Sequence, residues 1–365
     1  MMASICDLRR SKDKEIKVLG SNLRFSSGIP ARFAASIAMI CFASASLDAR
    51  AQALDLRTEI EPFVMRIASD RCIDQERTRR TLSAARLSDS VLKSIRRPAE
   101  SMPWHRYRRL LVTRSRVEKG VEFARKHAEL LERADSRFGV PAQIITAIIG
   151  IESAYGANRG SHLVLDALAT LGFRYPDKPK RSDFFRSELE SLFLLACEED
   201  IDLLKIKGSY AGAIGIPQFI PSSYRNFAVD FDEDGNRDLV NSWADAIGSI
   251  ANYLAEHGWS ADAPIAVEAK VEGDAYHAII AKGIKPSMTV ESIEGQGVSP
   301  AGKDDALQDE SPQALAALLE FEVKGGSEYW LGFDNFYTIT RYNHSRLYAL
   351  AIFQLSEMIR ERIAG

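Results

Sequence analysis

The stretch Pro141-Ala-Gln-Ile-Ile-Thr-Ala-Ile-Ile-Gly-Ile-Glu-Ser153 constrains this chain more than any other. Gly139 ends the pattern before it, and Pro141 suits the first turn of a helix. Ile144, Ile145, Ala147, Ile148, Ile149 and Ile151 then cover nearly every side of that helix. A helix with almost no polar face has to be buried, so the rest of the chain must wrap around it. With 365 residues, 46% of them hydrophobic, there is material for a sizeable core and for more than one packed unit.

Glu152 closes the apolar helix, directly before Ser-Ala-Tyr-Gly. At an apolar rim a carboxyl group loses hydration, which disfavours its charged form and raises its pKa. Such a group stays protonated near neutral pH and can give its proton to a leaving oxygen, for example a glycosidic one. On the helix pattern alone, a Glu that simply emerges into solvent at a helix end is the more ordinary explanation.

Charge excludes some partners. The formal net charge of −3 gives no blanket attraction to nucleic acid or to an anionic membrane surface. A polymer bound by this chain must be held locally, in a groove. The N-terminus has the three-part layout of a secretory signal peptide: a basic segment, the apolar run from Phe33 to Leu47, and the small-x-small site Ala51-Gln52-Ala53. The apolar run is short for a membrane span. About 30 residues precede it, a long lead-in that an early start codon would explain. Cys41 follows the bulky Ile40, which argues against a lipoprotein signal. Two cysteines remain beyond the leader, Cys72 and Cys197, which either pair in an oxidising compartment or stay as two buried thiols.

Periodicity divides the rest. Helices are expected through 54–135, ending in one long pattern from Ser115 to Arg137 with Val117, Val121, Ala124, Ala128 and Leu131 on one face. Further helices are expected at 183–199, 242–257 and Ser345–Ile363, with a Gly-rich turn region from Lys207 to Gln218. Ile265, Val267, Ala269 and Val271 alternate as a strand does, Leu319–Val323 does the same, and Gly325-Gly326 makes a hairpin-like break before Tyr329-Trp330-Leu331. Gly295 to Gln313 reads as a loop. The fold expected is therefore α+β and mainly α. Its division is 1–53 leader with signal peptide, 54–135 helical region, 136–262 core, 263–338 small inserted β-rich domain, and 339–365 C-terminal helix returning to the core.

Asp230-Phe-Asp-Glu-Asp-Gly-Asn-Arg-Asp-Leu-Val-Asn resembles an EF-hand loop. Oxygen donors Asp230, Asp232, Asp234, Asn236 and Asp238 fall at ligand positions, and Gly235 stands at the sharp turn. The closing position holds Asn241 where an EF-hand has a bidentate Glu, and Asp245 is the candidate to close the site. The alternative is an Asx-rich turn that needs no metal. The six histidines show no zinc-ligand spacing.

Several blocks in register identify a resemblance. They are Phe138-Gly-Val-Pro, Ile148-Ile-Gly-Ile-Glu-Ser-Ala-Tyr-Gly, Leu165-Asp-Ala-Leu-Ala-Thr-Leu-Gly-Phe-Arg-Tyr-Pro, Lys207 to Tyr224, Asp245-Ala-Ile-Gly-Ser-Ile-Ala-Asn-Tyr, and Ile339-Thr-Arg-Tyr-Asn-His-Ser. Over roughly residues 100–355 the sequence resembles the lytic murein transglycosylases of the membrane-bound type B family. The resemblance implies a goose-lysozyme-like core that cuts the β-1,4 bond between N-acetylmuramic acid and N-acetylglucosamine. It implies one Glu, matched by Glu152, that acts as acid and then as base to give a 1,6-anhydro product, with no cofactor in the chemistry. No second acidic residue is obviously placed as a nucleophile, which agrees with that scheme. Ser209 and Gln218 match groove residues beside the acid, and Tyr253, Tyr342, Asn343 and Tyr107 match others. Their side chains suit sugar hydroxyls and acetamides. Relatives carry paired arginines in a short turn; here the turn is longer and reads Lys180-Arg181, and a lysine makes a point-charge contact where an arginine can make a bidentate one.

The leader points to an exported, periplasmic protein, with membrane association through an uncleaved leader as the alternative, and the charge balance to no nucleic acid. The resemblance adds a structural Ca2+ in the acidic loop, peptidoglycan glycan strands as partner, a monomer, and cell-wall synthesis or division proteins as candidate associates. Three other readings stay open: a hydrolysing muramidase on the same fold, a non-catalytic peptidoglycan-binding protein, and a calcium-responsive interaction protein.

Overall fold

The structure is a computed structural model and describes residues 53–96, 102–175, 179–301 and 312–365. The expected leader lies outside the described residues, apart from Ala53. At the centre stands the helix Ala142–Ser153, in which every residue from Ile144 to Ser153 is buried. Four helices pack on it: Arg114–Lys126, Ala128–Phe138, Trp243–Glu256 and Arg346–Ala364. The apolar perimeter read from the sequence requires such a surround, because each isoleucine needs its own neighbour to leave water.

The long pattern expected from Ser115 to Arg137 is two helices rather than one. They break at His127, whose φ of −114° and ψ of 25° are not helical. Its ring packs 4.5 Å from Phe123 and 5.2 Å from Trp243, so tertiary aromatic contacts override a periodicity that runs on through the break. Gly139 then closes the second helix in the left-handed region at φ 68°, its N–H bonded to the Asp135 carbonyl.

Of the short N-terminal helices, Trp104–Leu111 packs on Arg346–Ala364 and on the strand Leu315–Val323, whereas Glu61–Ile67, Gln75–Ala84 and Asp89–Ile95 adjoin the pair Val164–Arg174 and Pro179–Glu198. Ion pairs Arg174–Glu59 and Arg66–Glu190 cross this junction, as do hydrogen bonds from Arg86 N to Asp166 and from Ser88 N to Thr170. Cys72 and Cys197 form a disulfide there, with their Cα atoms 6.1 Å apart, so of the two readings left open for them pairing is the one seen.

Two short strands, β1 (His162–Leu163) and β2 (Lys207–Gly208), form an antiparallel ladder next to the Gly-rich turns. The second sheet comprises β3 (Ala266–Val271), β4 (Met288–Thr289), β5 (Val298–Pro300), β6 (Leu315–Val323) and β7 (Gly326–Gly332), in the order β4-β6-β7-β3-β5 and antiparallel throughout. Its side chains alternate as the sequence promised. Val267, Leu318 and Leu331 face a small separate core, while Ala317, Leu319 and Phe321 face the main one.

Three details differ from expectation. The hairpin turns at Lys324-Gly325, one residue earlier than read, with Gly325 at φ 93° and Val323 opposite Gly326. The stretch expected as a loop from Gly295 contributes β5, which pairs with β3. The sheet ends at Gly332, and Asp334–Tyr342 is already a helix. Buried Asn335 secures this return to the core, accepting from Ser260 N and donating to the Ser260 and Ala263 carbonyls. Among the described residues no helix is long and apolar enough to cross a membrane.

Candidate active site

Glu152 sits one residue from the end of the central helix and is 3% exposed. The chain reverses at once behind it. Ala154, Tyr155 and Gly156 follow each other at φ 49°, 57° and 80°. The turn is bonded to itself: Ser153 Oγ donates to the Ile149 carbonyl and accepts from Gly156 N, and Asn158 N donates to the Ser153 carbonyl. Left-handed geometry at two non-glycine residues costs about 1–2 kcal/mol each. Tyr155 helps to hold it, with its ring against Phe123 and its hydroxyl donating to the Arg116 carbonyl at 2.8 Å. Burial raises the pKa of that hydroxyl. The turn therefore keeps the carboxyl inside the wall rather than letting it follow the chain into solvent.

Two phenols face Glu152. Burial, and then the nearby Glu152 carboxyl, hold both Tyr342 and Tyr348 well above the ordinary tyrosine pKa, so each remains a neutral donor. The Tyr342 hydroxyl donates to the Pro217 carbonyl at 2.6 Å, and the rings of Tyr342 and Tyr348 lie nearly parallel, 6.4 Å apart. Tyr107 completes this side: it is buried, electrostatically felt by Tyr348, and packed beside Trp104. Sequence reasoning missed Tyr348. Its only signal was a phenol in the otherwise apolar start of the last helix, Leu347-Tyr-Ala-Leu-Ala-Ile.

Tyr342 also lines a cavity of about 190 Å³, and Gln218, Tyr253 and Asn343 are in its wall too. Four of the expected groove residues thus come together. Phe184, Phe219, Arg341 and His344 line it too and were not anticipated. Burial pushes the Tyr253 hydroxyl up to about 12, and it donates to the Arg341 carbonyl at 2.7 Å. Burial, then the charges of Arg341 and His257, lower the His344 pKa. Gln218 holds a left-handed φ of 56° and donates through Nε2 to the carbonyls of Gly215 (2.8 Å) and Arg159 (3.2 Å).

Ser209 is buried in the Gly-rich turn, where its Oγ accepts from Ala211 N and Ala213 N. With both acceptor contacts made inside the turn, its hydrogen is what it can offer outward. Lys180 and Arg181 stand in the first turn of Pro179–Glu198, so the helix begins four residues earlier than the expected 183. Lys180 is exposed, and Arg181 lies over the Tyr175 ring and donates to its hydroxyl at 2.7 Å.

The acidic loop is a second centre. Carboxylate oxygens of Asp230, Asp232 and Asp245 lie within 4.8 Å of one another. The other three expected ligands are engaged in turns: Asp234 accepts from Asn236 N and Nδ2, and Asp238 from Val240 N and Asn241 N. Asp245 is buried, with one oxygen on Phe231 N and the other on Asp238 N, both at 2.7 Å. Burial, first among the causes, raises its pKa.

Comparison with known proteins agrees with this geometry. Residues 55–357 match the family described as Transglycosylase SLT domain. Membrane-bound lytic murein transglycosylase B of Escherichia coli (strain K12) is 38% identical over 311 residues, which cover 82% of each protein. Among solved structures, the soluble lytic transglycosylase SltB1 from Pseudomonas aeruginosa is 39% identical with a TM-score of 0.76, covering 84% of this chain and 99% of that one. The Escherichia coli lytic transglycosylase Slt35 in complex with calcium is 37% identical with a TM-score of 0.72, covering 84% of this chain and 94% of that one. A shared fold, shared sequence over most of both lengths, and a family match spanning nearly every described residue lead to one assignment: the chain belongs to the lytic murein transglycosylase B family.

Proposed function

We propose that this protein cleaves the β-1,4 bond between N-acetylmuramic acid and N-acetylglucosamine in peptidoglycan, with Glu152 as its single acid and base. The observation that carries the reading is a carboxyl 3% exposed at the end of an apolar helix, close enough to two buried phenols to raise the pKa of both. Burial disfavours the charged form of a carboxyl, and in this reading its proton goes to the departing N-acetylglucosamine O4. The resulting carboxylate takes the proton of the muramyl C6 hydroxyl while that oxygen bonds to C1. The glycosidic bond breaks, a 1,6-anhydro ring forms, and no water enters.

A two-carboxylate scheme finds little support. The other buried acids among the described residues are Glu188 and Asp245. Glu188 binds Ser222 Oγ and N through its two oxygens, and Asp245 binds the acidic loop through both of its own. In this reading Gln218, Asn343, Tyr253, Tyr342, Ser209 and Tyr107 hold the sugars, and Lys180 and Arg181 flank the groove's far end. Mass spectrometry of sacculi digested by the protein tests it. Muropeptides ending in 1,6-anhydromuramic acid are expected, one water lighter than free reducing ends. Free reducing ends alone would make the protein a hydrolysing muramidase instead.

Asp230, Asp232 and Asp245 supply a convergent set of hard oxygen donors, and such a set fits a divalent calcium ion. The ion would brace the loop that Asp245 already pins, and it would take no part in bond cleavage. Adding calcium to chelator-treated protein should raise the melting temperature by roughly 5 °C at a hundredfold excess over Kd. Asp232→Asn should remove the rise; an unchanged rise would place the ion elsewhere. The signal-peptide layout of the sequence supports action in the periplasm, where peptidoglycan lies.

A further inference from the structure

Arg159 touches three separate pieces of the site, yet it belongs to none of the residue sets considered so far. It lies in Gly156-Ala-Asn-Arg-Gly160, the segment that leaves the Glu152 helix. Its Nε donates to the Gly156 carbonyl at 3.1 Å, within the left-handed turn that follows Glu152. Its terminal nitrogen donates to the Val240 carbonyl at 2.5 Å, near the end of the acidic loop. Its own backbone carbonyl accepts from Gln218 Nε2. A planar guanidinium can fix two carbonyls at once in a set geometry, which an ammonium cannot do.

The consequence falls on Gln218. A side-chain amide has two hydrogens on nitrogen and an acceptor oxygen. Both neighbours of the Gln218 nitrogen, Gly215 O and Arg159 O, are carbonyls, so the chemistry of the partners settles which end is nitrogen. Both hydrogens are thereby used within the protein, and the amide oxygen Oε1 is what Gln218 has to offer the cavity. A residue able in principle to give or take a hydrogen bond is restricted to taking one, from a sugar hydroxyl or an acetamide N–H. The segment on the other side of the link is anchored independently, because Ile216 N donates to the Leu239 carbonyl at 2.8 Å.

From this we infer that Arg159 is a positioning residue for substrate binding: it locks the turn whose carbonyl orients Gln218 as an acceptor in the sugar cavity. The inference rests on the proposed peptidoglycan-cleaving function. It acts through substrate binding, so its mark is on KM rather than on the chemical step.

The experiment is a double-mutant cycle on soluble strands of alternating N-acetylglucosamine and N-acetylmuramic acid. Gln218→Ala and Arg159→Gln should each raise KM about tenfold, with kcat within about threefold of wild type. The double variant should be no worse than either single one, because Arg159 acts through Gln218. Arg159→Lys, which reaches only one of the two carbonyls, should fall between wild type and Arg159→Gln, and it serves alone if the Gln variant does not fold. A roughly hundredfold KM rise in the double variant would overturn the inference. So would an Arg159 variant with a lowered melting temperature and an unchanged KM. Failure of the wild-type protein to cut the strands would instead overturn the proposed function.

Discussion

Glu152→Gln is expected to slow release of muropeptides from sacculi by about a thousandfold or more. The estimate follows from loss of both proton transfers at one residue: the amide can neither protonate the leaving oxygen nor receive the C6 hydroxyl proton. The substitution keeps shape and size, and it removes a carboxyl that is 3% exposed, so the fold should survive with its melting temperature unchanged or raised. Turnover and thermal denaturation measured on the same preparation separate chemistry from stability. Activity within tenfold of wild type would remove Glu152 from the mechanism, and with it the reading of the protein as a one-carboxyl enzyme.

The second large effect is on folding. Gly160 has a φ of 88°, and a Cβ built on it would stand 2.0 Å from the carbonyl carbon and oxygen of Gly208. The atoms it would strike belong to the backbone of β2, paired with β1 through His162 and Gly208, so neither strand can yield alone. Gly160→Ala is expected to cost about 4 kcal/mol or more in urea unfolding, from a strained backbone plus a main-chain clash. Gly273→Ala is the control. That residue also has a positive φ, 70°, but nothing lies within 4 Å of its would-be Cβ, so only the backbone penalty of about 1–2 kcal/mol remains. Equal losses at the two positions would show that the close approach at Gly208 has no energetic weight.

How much of this was readable without coordinates depends on whether the information is local. The buried helix was legible because five isoleucines and Ala147, spread around the helix, leave it almost no solvent face. Glu152 stood out because it interrupts that pattern at its end, and its proposed role as the acid came from family resemblance. The alternation in β3 and β6 was legible for the same reason, since a period of two survives any tertiary arrangement. Gln218, Tyr253, Tyr342 and Asn343 came from family resemblance, and the cavity gathers all four.

What stayed hidden depends on distant contacts. Nothing in the residues around His127 says that Phe123 and Trp243 will pack on its ring and end a helix whose apolar spacing continues. The helix Asp334–Tyr342 was hidden by position, because it follows a strand region and is fixed by Asn335 reaching back to Ser260. The acidic loop offered five oxygen donors at ligand positions, with Asp245 beyond them, but in an Asx-rich turn side chains also bond to nearby N–H groups. Asp234 and Asp238 do so, and only three carboxylates converge. Arg159 gave no sign at all, since an arginine in a polar segment ordinarily reads as solvated surface.

The phenols that wall in Glu152 come from the far end of the chain. A ribosome-bound or partly threaded polypeptide that has released the Ala142–Ser153 segment, but not yet Tyr342 and Tyr348, carries the acid without its enclosure. In that state water reaches the carboxyl, and the burial that disfavours its charged form is absent. Under the proposed mechanism, glycan-cutting capacity is thus tied to completion of the chain, because the residues that enclose Glu152 are among the last to be made.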